Sequence, residues 1–190
     1  LTTVQDAISG QKELIAKLKE LKRGMMEYFF THGTKGEKTK MTEIGEIPES
    51  WDVEMLGRLV KITSGGTPDR EKKEYWEGGT VPWVKTSEVN YSLINDTEEK
   101  ITDLGIQNSS TKIFPKGTLL VAMYGQGVTR GRVGILNIAA ATNQACAALL
   151  GDELKNRYLY YYLTLHYEDL RRLGHGANQK NLNANLIKSI

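Results

Sequence analysis

The sequence predicts an α+β fold, in which one long amphipathic helix precedes a strand-rich domain with peripheral helices. Residues 3–30 have the apolar spacing of a coiled-coil helix. After residue 44, short apolar runs such as GTLLVAM, RVGILNI and NQACAALL alternate with turns, which is typical of strands. Near the end, NRYLYYYLTLHYEDLRRLG returns to a helical period and stops at Gly174. At 190 residues, the chain has room for one ordinary domain plus an appendage.

The first segment, residues 1–33, is predicted to be a helix that packs on another helix. Its apolar stripe occupies heptad positions a, d and e, and its opposite face carries lysines and glutamates. We expect the following side chains to form a packing or dimerisation surface: Ile8, Leu14, Ile15, Leu18, Leu21 and Met25. Packing on the chain's own domain is the alternative, but the a/d spacing favours a second long helix.

The next residues have no apolar period and are predicted to separate two parts of the chain. Residues 34–44 are rich in Gly, Thr and Lys, so we expect a linker there and a domain at 45–190. Charge also divides the chain unevenly. Residues 41–110 carry 7 Lys and Arg against 14 Asp and Glu, whereas residues 111–190 carry 10 against 4. We expect a polyanion to meet the last block, and the acidic block to face solvent or a protein partner.

Several classes of protein are excluded or disfavoured. The single cysteine, Cys146, excludes a disulfide framework and is predicted to be a buried strand thiol in a cytoplasmic protein. The three histidines are scattered, so no metal site is expected. No apolar run approaches the roughly 20 residues that span a membrane, and no signal peptide is visible.

The stretch YGQGVTRGRVGIL, residues 124–136, is rich in glycine and arginine. Gly125-Gln126-Gly127 begins like a dinucleotide fingerprint, but the next glycine comes one place late and a strand follows where a helix is needed. We therefore predict a connection between two strands. Its polar residues have side chains that hydrogen-bond phosphates and guanine edges: Tyr124, Gln126, Thr129, Arg130 and Arg132. A solvated hairpin with ordinary charges is the alternative.

Two further polar stretches carry similar chemistry. Lys85, Thr86 and Ser87 follow a tryptophan, and Asn178, Gln179 and Lys180 lie in GHGANQKNLN. Paired amides are suited to adenine edges and lysines to phosphates. Each stretch has an alternative interpretation as a polar turn. The three stretches together predict DNA contact, provided that they converge in space.

A catalytic alternative rests on a short nuclease pattern. Asp69 follows a proline, and Glu98 precedes Lys100 by two positions, which satisfies PD…ExK for a Mg²⁺-dependent nuclease. However, Asp69 lies in a GGTPDR turn rather than on a strand. No P-loop, G-x-S-x-G elbow or H-E-x-x-H is present in the sequence. An architectural adaptor that never touches DNA is the third hypothesis.

The order of the motifs resembles a known family. The helix QKELIAKLKELKRGMMEYFFTHG is followed by five blocks: IPESWDVEMLGRLVKITSGGTP, YWEGGTVPWVKTSEV, ITDLGIQNSSTKIFPKGTLLVAM, GRVGILNIAAATNQACAAL and LGHGANQKNLNANLIKSI. This series resembles a target recognition domain, with its preceding conserved helix, from the specificity (HsdS-type) subunit of type I restriction–modification systems. The resemblance covers nearly the whole chain.

The resemblance implies a mixed, twisted sheet whose loops face DNA. It also implies a non-catalytic chain that binds half of a bipartite double-stranded site. Modification subunits and a restriction subunit are the implied partners, with S-adenosylmethionine, ATP and Mg²⁺ on those subunits and no cofactor on this chain. A complete specificity subunit has two such domains and two helices. We therefore expect either a fragment or a half-subunit that dimerises through its first helix.

Overall fold

The long helix and a hairpin form the first of two compact units in this computed structural model, which describes residues 2–125, 127–173 and 181–190. The first unit ends at Val53. It contains α1 (Thr2–His32) and an antiparallel hairpin of β1 (Thr39–Thr42) and β2 (Gly45–Pro48). The predicted helix is confirmed, and its apolar stripe of six residues is 48–59% exposed. None of the described helices is long and apolar enough to cross a bilayer.

The predicted linker, residues 34–44, contains regular structure, because β1 lies within it. The Thr42 hydroxyl donates to the Gly45 carbonyl at 2.8 Å, and Gly45 has a φ of 107° that favours glycine. This tight turn pairs β1 with β2. The boundary between the compact units accordingly falls after Val53 rather than near residue 44.

The second unit, Glu54–Ile190, contains the remaining strands and α-helices. Its strands are β3 (Lys61–Ser64), β4 (Val81–Val84), β5 (Leu93–Ile94), β6 (Glu99–Ile101), β7 (Ile113–Phe114), β8 (Leu119–Ala122), β9 (Val133–Leu136), β10 (Ala140–Thr142) and β11 (Cys146–Leu150). Its α-helices are α2 (Leu56–Leu59), α3 (Asp103–Gln107), α4 (Glu153–Leu165), α5 (Tyr167–Leu173) and α6 (Ala184–Lys188). The strands predicted from GTLLVAM, RVGILNI and NQACAALL are confirmed as β8, β9 and β11.

The strands of the second unit form two mixed sheets. One has the order β3-β11-β8-β9-β5 and the other β6-β4-β10-β7. Each contains a single parallel pair among antiparallel ones: β5 with β9, and β4 with β10. The short turn at 143–145 joins the two sheets. Mixed sheets with peripheral helices confirm the predicted α+β class.

Apolar side chains fill both sides of the five-stranded sheet. Leu119 and Val121 of β8 pack with Leu163 of α4 and Ile187 of α6 on one face. Leu120 and Ala122, which alternate with them, pack on the other face with residues of the four-stranded sheet. β8 and β11 lie inside the sheet and are covered on both faces. Side chains on both faces of these strands are therefore apolar, which explains the continuous apolar runs in the sequence.

The helix predicted near the C-terminal end is two helices. His166 separates α4 from α5. Leu163 and Leu170 both reach the core, as the helical period predicts. Leu173, which the helical period places on the same face, lies outside that core and is exposed.

Candidate nucleic-acid interface

Four connecting segments meet at one end of the two sheets. β4 and β10 are parallel, so the segments after them leave at the same edge. β11 starts opposite the last residue of β8, with Cys146 facing Ala122, and opposite the end of β3, with Ala147 facing Ser64. The segments after β3, β4, β8 and β10 therefore share one end. We call it the loop end and define it as residues 65–70, 85–91, 123–132 without 126, and 143–145.

Hydrogen bonds join these segments directly. The Asn143 N–H donates to the Val84 carbonyl at 3.2 Å, and the Thr86 hydroxyl donates to Asn143 Oδ1 at 3.0 Å. The Met123 N–H donates to the Ala145 carbonyl at 2.8 Å. The segment with Lys85, Thr86 and Ser87 thus lies beside the start of the glycine-rich stretch. Two of the three predicted polar stretches converge.

The third predicted stretch cannot be placed in the same way. Asn178, Gln179 and Lys180 lie outside the described residues, and so does Gln126. The chain is described again from residue 181, where the Leu182 N–H donates to the Met123 carbonyl at 3.1 Å. Residue 182 therefore lies at the loop end. The assignment of these four side chains to DNA contact stays a prediction.

The glycine-rich stretch connects β8 to β9, as predicted, and no helix follows it. Gly127 and Gly131 have φ angles of 64° and 88°, which L side chains rarely adopt. Gly131 also lies against the Tyr167 ring and the Arg171 side chain of α5, since a Cβ at residue 131 would lie 3.4 Å from each of them. These glycines therefore shape a strand connection. Tyr124 is exposed and Thr129 is half-buried within it.

Arg130 was expected to be exposed as a DNA contact, but it is buried. Its side chain is 8% exposed, and its Nη2 donates to the Arg171 carbonyl at 3.4 Å. In return, Arg171 Nη1 donates to the Arg130 carbonyl at 3.2 Å. The pair ties the connection to the last turn of α5, where a cation is favoured by the helix dipole. DNA contact by Arg130 stays a prediction, but substitution there would also disturb the fold.

Arg132 is better placed to meet a ligand. Its Nη1 donates to Asn90 Oδ1 at 2.8 Å, and its guanidinium carbon lies 5.9 Å from the centre of the Tyr91 ring. Tyr91 has a φ of 54°, which is uncommon outside glycine. Its carbonyl accepts from the Tyr160 hydroxyl at 2.6 Å, so the strained backbone is held by α4. Arg132 therefore contacts a segment of the loop end that is hydrogen-bonded to α4.

Acidic side chains occupy part of the same end. The Lys85 ammonium pairs with Glu98 and lies 3.5 Å from Glu99, while Arg70 also pairs with Glu99. The hydrogen bond that the Lys85 ammonium donates to Glu98 raises the pKa of Lys85 above its usual value. The Arg70 guanidinium stacks 3.7 Å from the centre of the Trp76 ring. Glutamates of the acidic block therefore lie at this end and neutralise its cations, and the expectation that the block faces solvent or a protein partner stays a prediction.

The residues of the nuclease pattern have separate partners. Asp69 Oδ1 accepts from the Glu71 N–H at 3.0 Å, within its own turn. Glu98 pairs with Lys85, and Lys100 lies 3.4 Å from Asp96. Over residues 2–125, 127–173 and 181–190, no three His, Cys, Asp or Glu side chains are grouped as metal ligands. The arrangement does not support the nuclease hypothesis.

Cys146 is buried in β11, as predicted for a strand thiol. Burial raises its pKa to about 11, although hydrogen bonds to threonine hydroxyls oppose the shift. The thiol is therefore protonated at neutral pH. Since thiolate is the reactive form, this position is not suited to nucleophilic chemistry.

Sequence reasoning missed several polar residues of the loop end. Asn143 and Gln144 follow β10, Thr67 and Arg70 follow β3, and Asn90 bonds Arg132. A signal was present for the first two, because ATNQAC contains the same Asn-Gln pair that was singled out at 178–179. The other three gave no local signal, since their partners are distant in sequence.

Comparison with known proteins decides the family. Residues 48–190 match the model of the type I restriction modification DNA specificity domain. The chain belongs to this family. The match begins within β2 and includes every segment of the loop end.

Relatives of this specificity domain are specificity subunits. It is 31% identical over 160 residues to the type I restriction enzyme MjaIX specificity subunit of Methanocaldococcus jannaschii, covering 80% of this chain and 35% of that protein. It is 27% identical over 119 residues to the EcoR124I/EcoR124II specificity subunit of Escherichia coli, covering 62% and 30%. The chain therefore spans about a third of the length of these relatives.

Solved structures support the fold of the specificity domain. The HsdS subunit from Thermoanaerobacter tengcongensis superimposes with a TM-score of 0.58 at 17% identity, covering 99% of this chain and 42% of that one. The S subunit of a type I system from M. genitalium gives a TM-score of 0.51 at 17% identity, covering 72% and 32%. Both likenesses are to the fold.

Proposed function

We propose that this specificity domain recognises one half of a bipartite double-stranded DNA site as part of a type I specificity subunit. The observation that carries the proposal is the convergence of four polar segments at one end of the sheets. Hydrogen-bonding side chains that point from a rigid scaffold into one region are what sequence recognition requires. The family match, which includes all four segments, supports the same function.

The chain acts in this proposal without catalysing a reaction. Modification subunits that use S-adenosylmethionine carry out methylation, and a restriction subunit that uses ATP and Mg²⁺ carries out cleavage. The exposed stripe on α1 supports pairing with a second long helix, from another copy or from the other half of a full-length subunit. Assembly and action take place in the cytoplasm, beside the DNA that is recognised.

Selection of bound sequences from random duplex DNA tests the proposal. The chain is mixed with its cognate modification subunit and S-adenosylmethionine, and the modification subunit alone serves as the control. We expect enrichment of a short half-site, or of a spaced palindrome if α1 pairs two copies. Enrichment no better than with the modification subunit alone would refute DNA recognition and leave the architectural adaptor.

A charge substitution at Arg132 should weaken DNA binding by this assembly. Arg132→Ala removes one phosphate-contacting cation, so binding should fall by about tenfold and the salt dependence should lose about one unit of slope. Lys116→Ala is the matched control, because Lys116 is exposed before β8, at the opposite end of that strand. Affinity is measured between low and physiological salt. Equal salt slopes for the two variants would show that Arg132 does not contact DNA phosphates.

A further inference from the structure

Gln144 lies at the tip of the turn between β10 and β11, within the loop end. We infer that Gln144 reads an adenine in the recognised half-site and that Thr67 positions its amide for that contact. The inference rests on the proposed function and names a residue that determines its specificity. Three separate observations support it: the rigidity of the turn, the support from Thr67 and the electrostatics of the surroundings.

Hydrogen bonds hold the residues on both sides of Gln144. The Cys146 N–H donates to the Asn143 carbonyl at 3.3 Å, which closes a four-residue turn. Asn143 Oδ1 accepts from the Ala145 N–H at 3.1 Å and from the Thr86 hydroxyl at 3.0 Å. The strands before and after the turn are buried. An exposed side chain on such a turn starts from a fixed point, which reduces the entropy cost of binding.

The Gln144 amide is itself oriented. The Thr67 hydroxyl donates to Gln144 Oε1, and the segment of Thr67 is anchored in turn. The Gly66 N–H donates to the Thr142 carbonyl at 2.9 Å, and Trp83 Nε1 donates to the Gly66 carbonyl at 3.0 Å. Thr67 therefore serves as a positioning residue whose own location is determined by buried groups.

The bond from Thr67 leaves the amide able to pair with a base. An amide oxygen has two lone pairs, so Oε1 can accept a second hydrogen bond, and the NH₂ group still has two donors. Glutamine pairs with adenine by donating to N7 and accepting from the N6 amino group in the major groove. Thr67 thus orients the donor and the acceptor without consuming them.

The charges nearby favour a base contact over a phosphate contact at this position. Lys85 and Arg70 are paired with Glu98 and Glu99 at the same end. With those cations neutralised, the turn offers a neutral amide rather than a positive charge. Discrimination at Gln144 therefore depends on hydrogen-bond pattern, which differs among base pairs in the major groove.

The test is selection of bound DNA with the complete assembly, comparing the wild-type chain with Gln144→Ala, Gln144→Glu and Thr67→Val. For Gln144→Ala, we expect the preference for adenine at one position to fall about tenfold or more, with the other positions unchanged. Gln144→Glu should move the preference at that position towards cytosine, whose amino group donates to a carboxylate. Thr67→Val should weaken the same position, and adding Gln144→Ala should then have little further effect.

Asn95→Ala is the matched control, because Asn95 is an exposed amide that follows β5, away from the loop end. It should leave every position of the selected site unchanged. An unchanged site for Gln144→Ala, or binding that weakens equally for all sequences, would overturn the inference while the proposed function stands. Failure of the wild-type assembly to select any sequence would overturn the proposed function itself, and the inference with it.

Discussion

Replacing Gly65 with alanine should be strongly destabilising, although it adds one methyl group. A Cβ at this position would lie 1.9 Å from the Thr142 carbonyl oxygen and 2.7 Å from that of Asn143. Both oxygens belong to backbone, so no side-chain rotation relieves the clash. The segments after β3 and β10 must separate, which removes the bond from the Gly66 N–H to Thr142. We expect a loss of about 3 kcal/mol or more in the free energy of unfolding.

Denaturant unfolding followed by tryptophan fluorescence measures this loss, because Trp83 is buried and bonds the Gly66 carbonyl. Gly134→Ala is the matched control within the same unit. A Cβ there meets Ile94 and the Ser92 carbonyl at 3.4 Å, which is close to ordinary contact. It should change stability by no more than about 1 kcal/mol. If both variants unfold at the same denaturant concentration, the close approach of residues 142 and 143 to Gly65 does not determine the free energy of unfolding as predicted.

The second large effect is expected on assembly through α1. Leu14 and Leu21 occupy d positions of the stripe and are more than half exposed. Leu14→Glu with Leu21→Glu should leave the folded unit intact, since neither side chain is buried within it. Helix pairing would then place two carboxylates in an apolar seam. We expect the dissociation constant to rise by about a hundredfold or more, from lost apolar burial alone.

Sedimentation velocity of the chain, alone and with the modification subunit, measures the assembly. Ser9→Glu with Ala16→Glu is the matched control, because it adds the same charge at exposed f positions on the opposite face. The control should sediment like the wild type, whereas the stripe variant should sediment as a smaller species. A wild-type chain that stays monomeric in both conditions would contradict helix pairing. Far-ultraviolet circular dichroism checks that α1 remains helical in each variant.

Local patterns in the sequence were sufficient for much of the architecture. The heptad spacing predicts α1 because one face of a helix is defined by residues three and four apart. The runs that became β8, β9 and β11 are apolar and bounded by turn residues, and the burial of Cys146 follows from its run. Such features depend on neighbours within about ten residues. The resemblance to specificity subunits, based on five blocks in order, is confirmed by the family match.

The positions of individual side chains were decided only by tertiary structure. Arg130 lies in a polar, glycine-rich stretch that predicts an exposed side chain. It instead exchanges hydrogen bonds with Arg171 of α5, which is 41 positions away. β1 lies in a segment without an apolar period, because its pairing with β2 depends on the backbone rather than on side-chain pattern. In both cases the decisive partner is invisible in the local sequence.

The loop end shows the same division most clearly. Its polar residue types are evident in the sequence, and they predict the chemistry of a DNA contact. Which of them act together depends on pairs such as Thr67 with Gln144, 77 positions apart, and Thr86 with Asn143, 57 positions apart. The sequence by itself therefore determined the long helix α1, the apolar strands β8, β9 and β11, and the family. Strand order brought Gln144 and Arg132 to one end, because sheet pairing joins segments that no local rule connects.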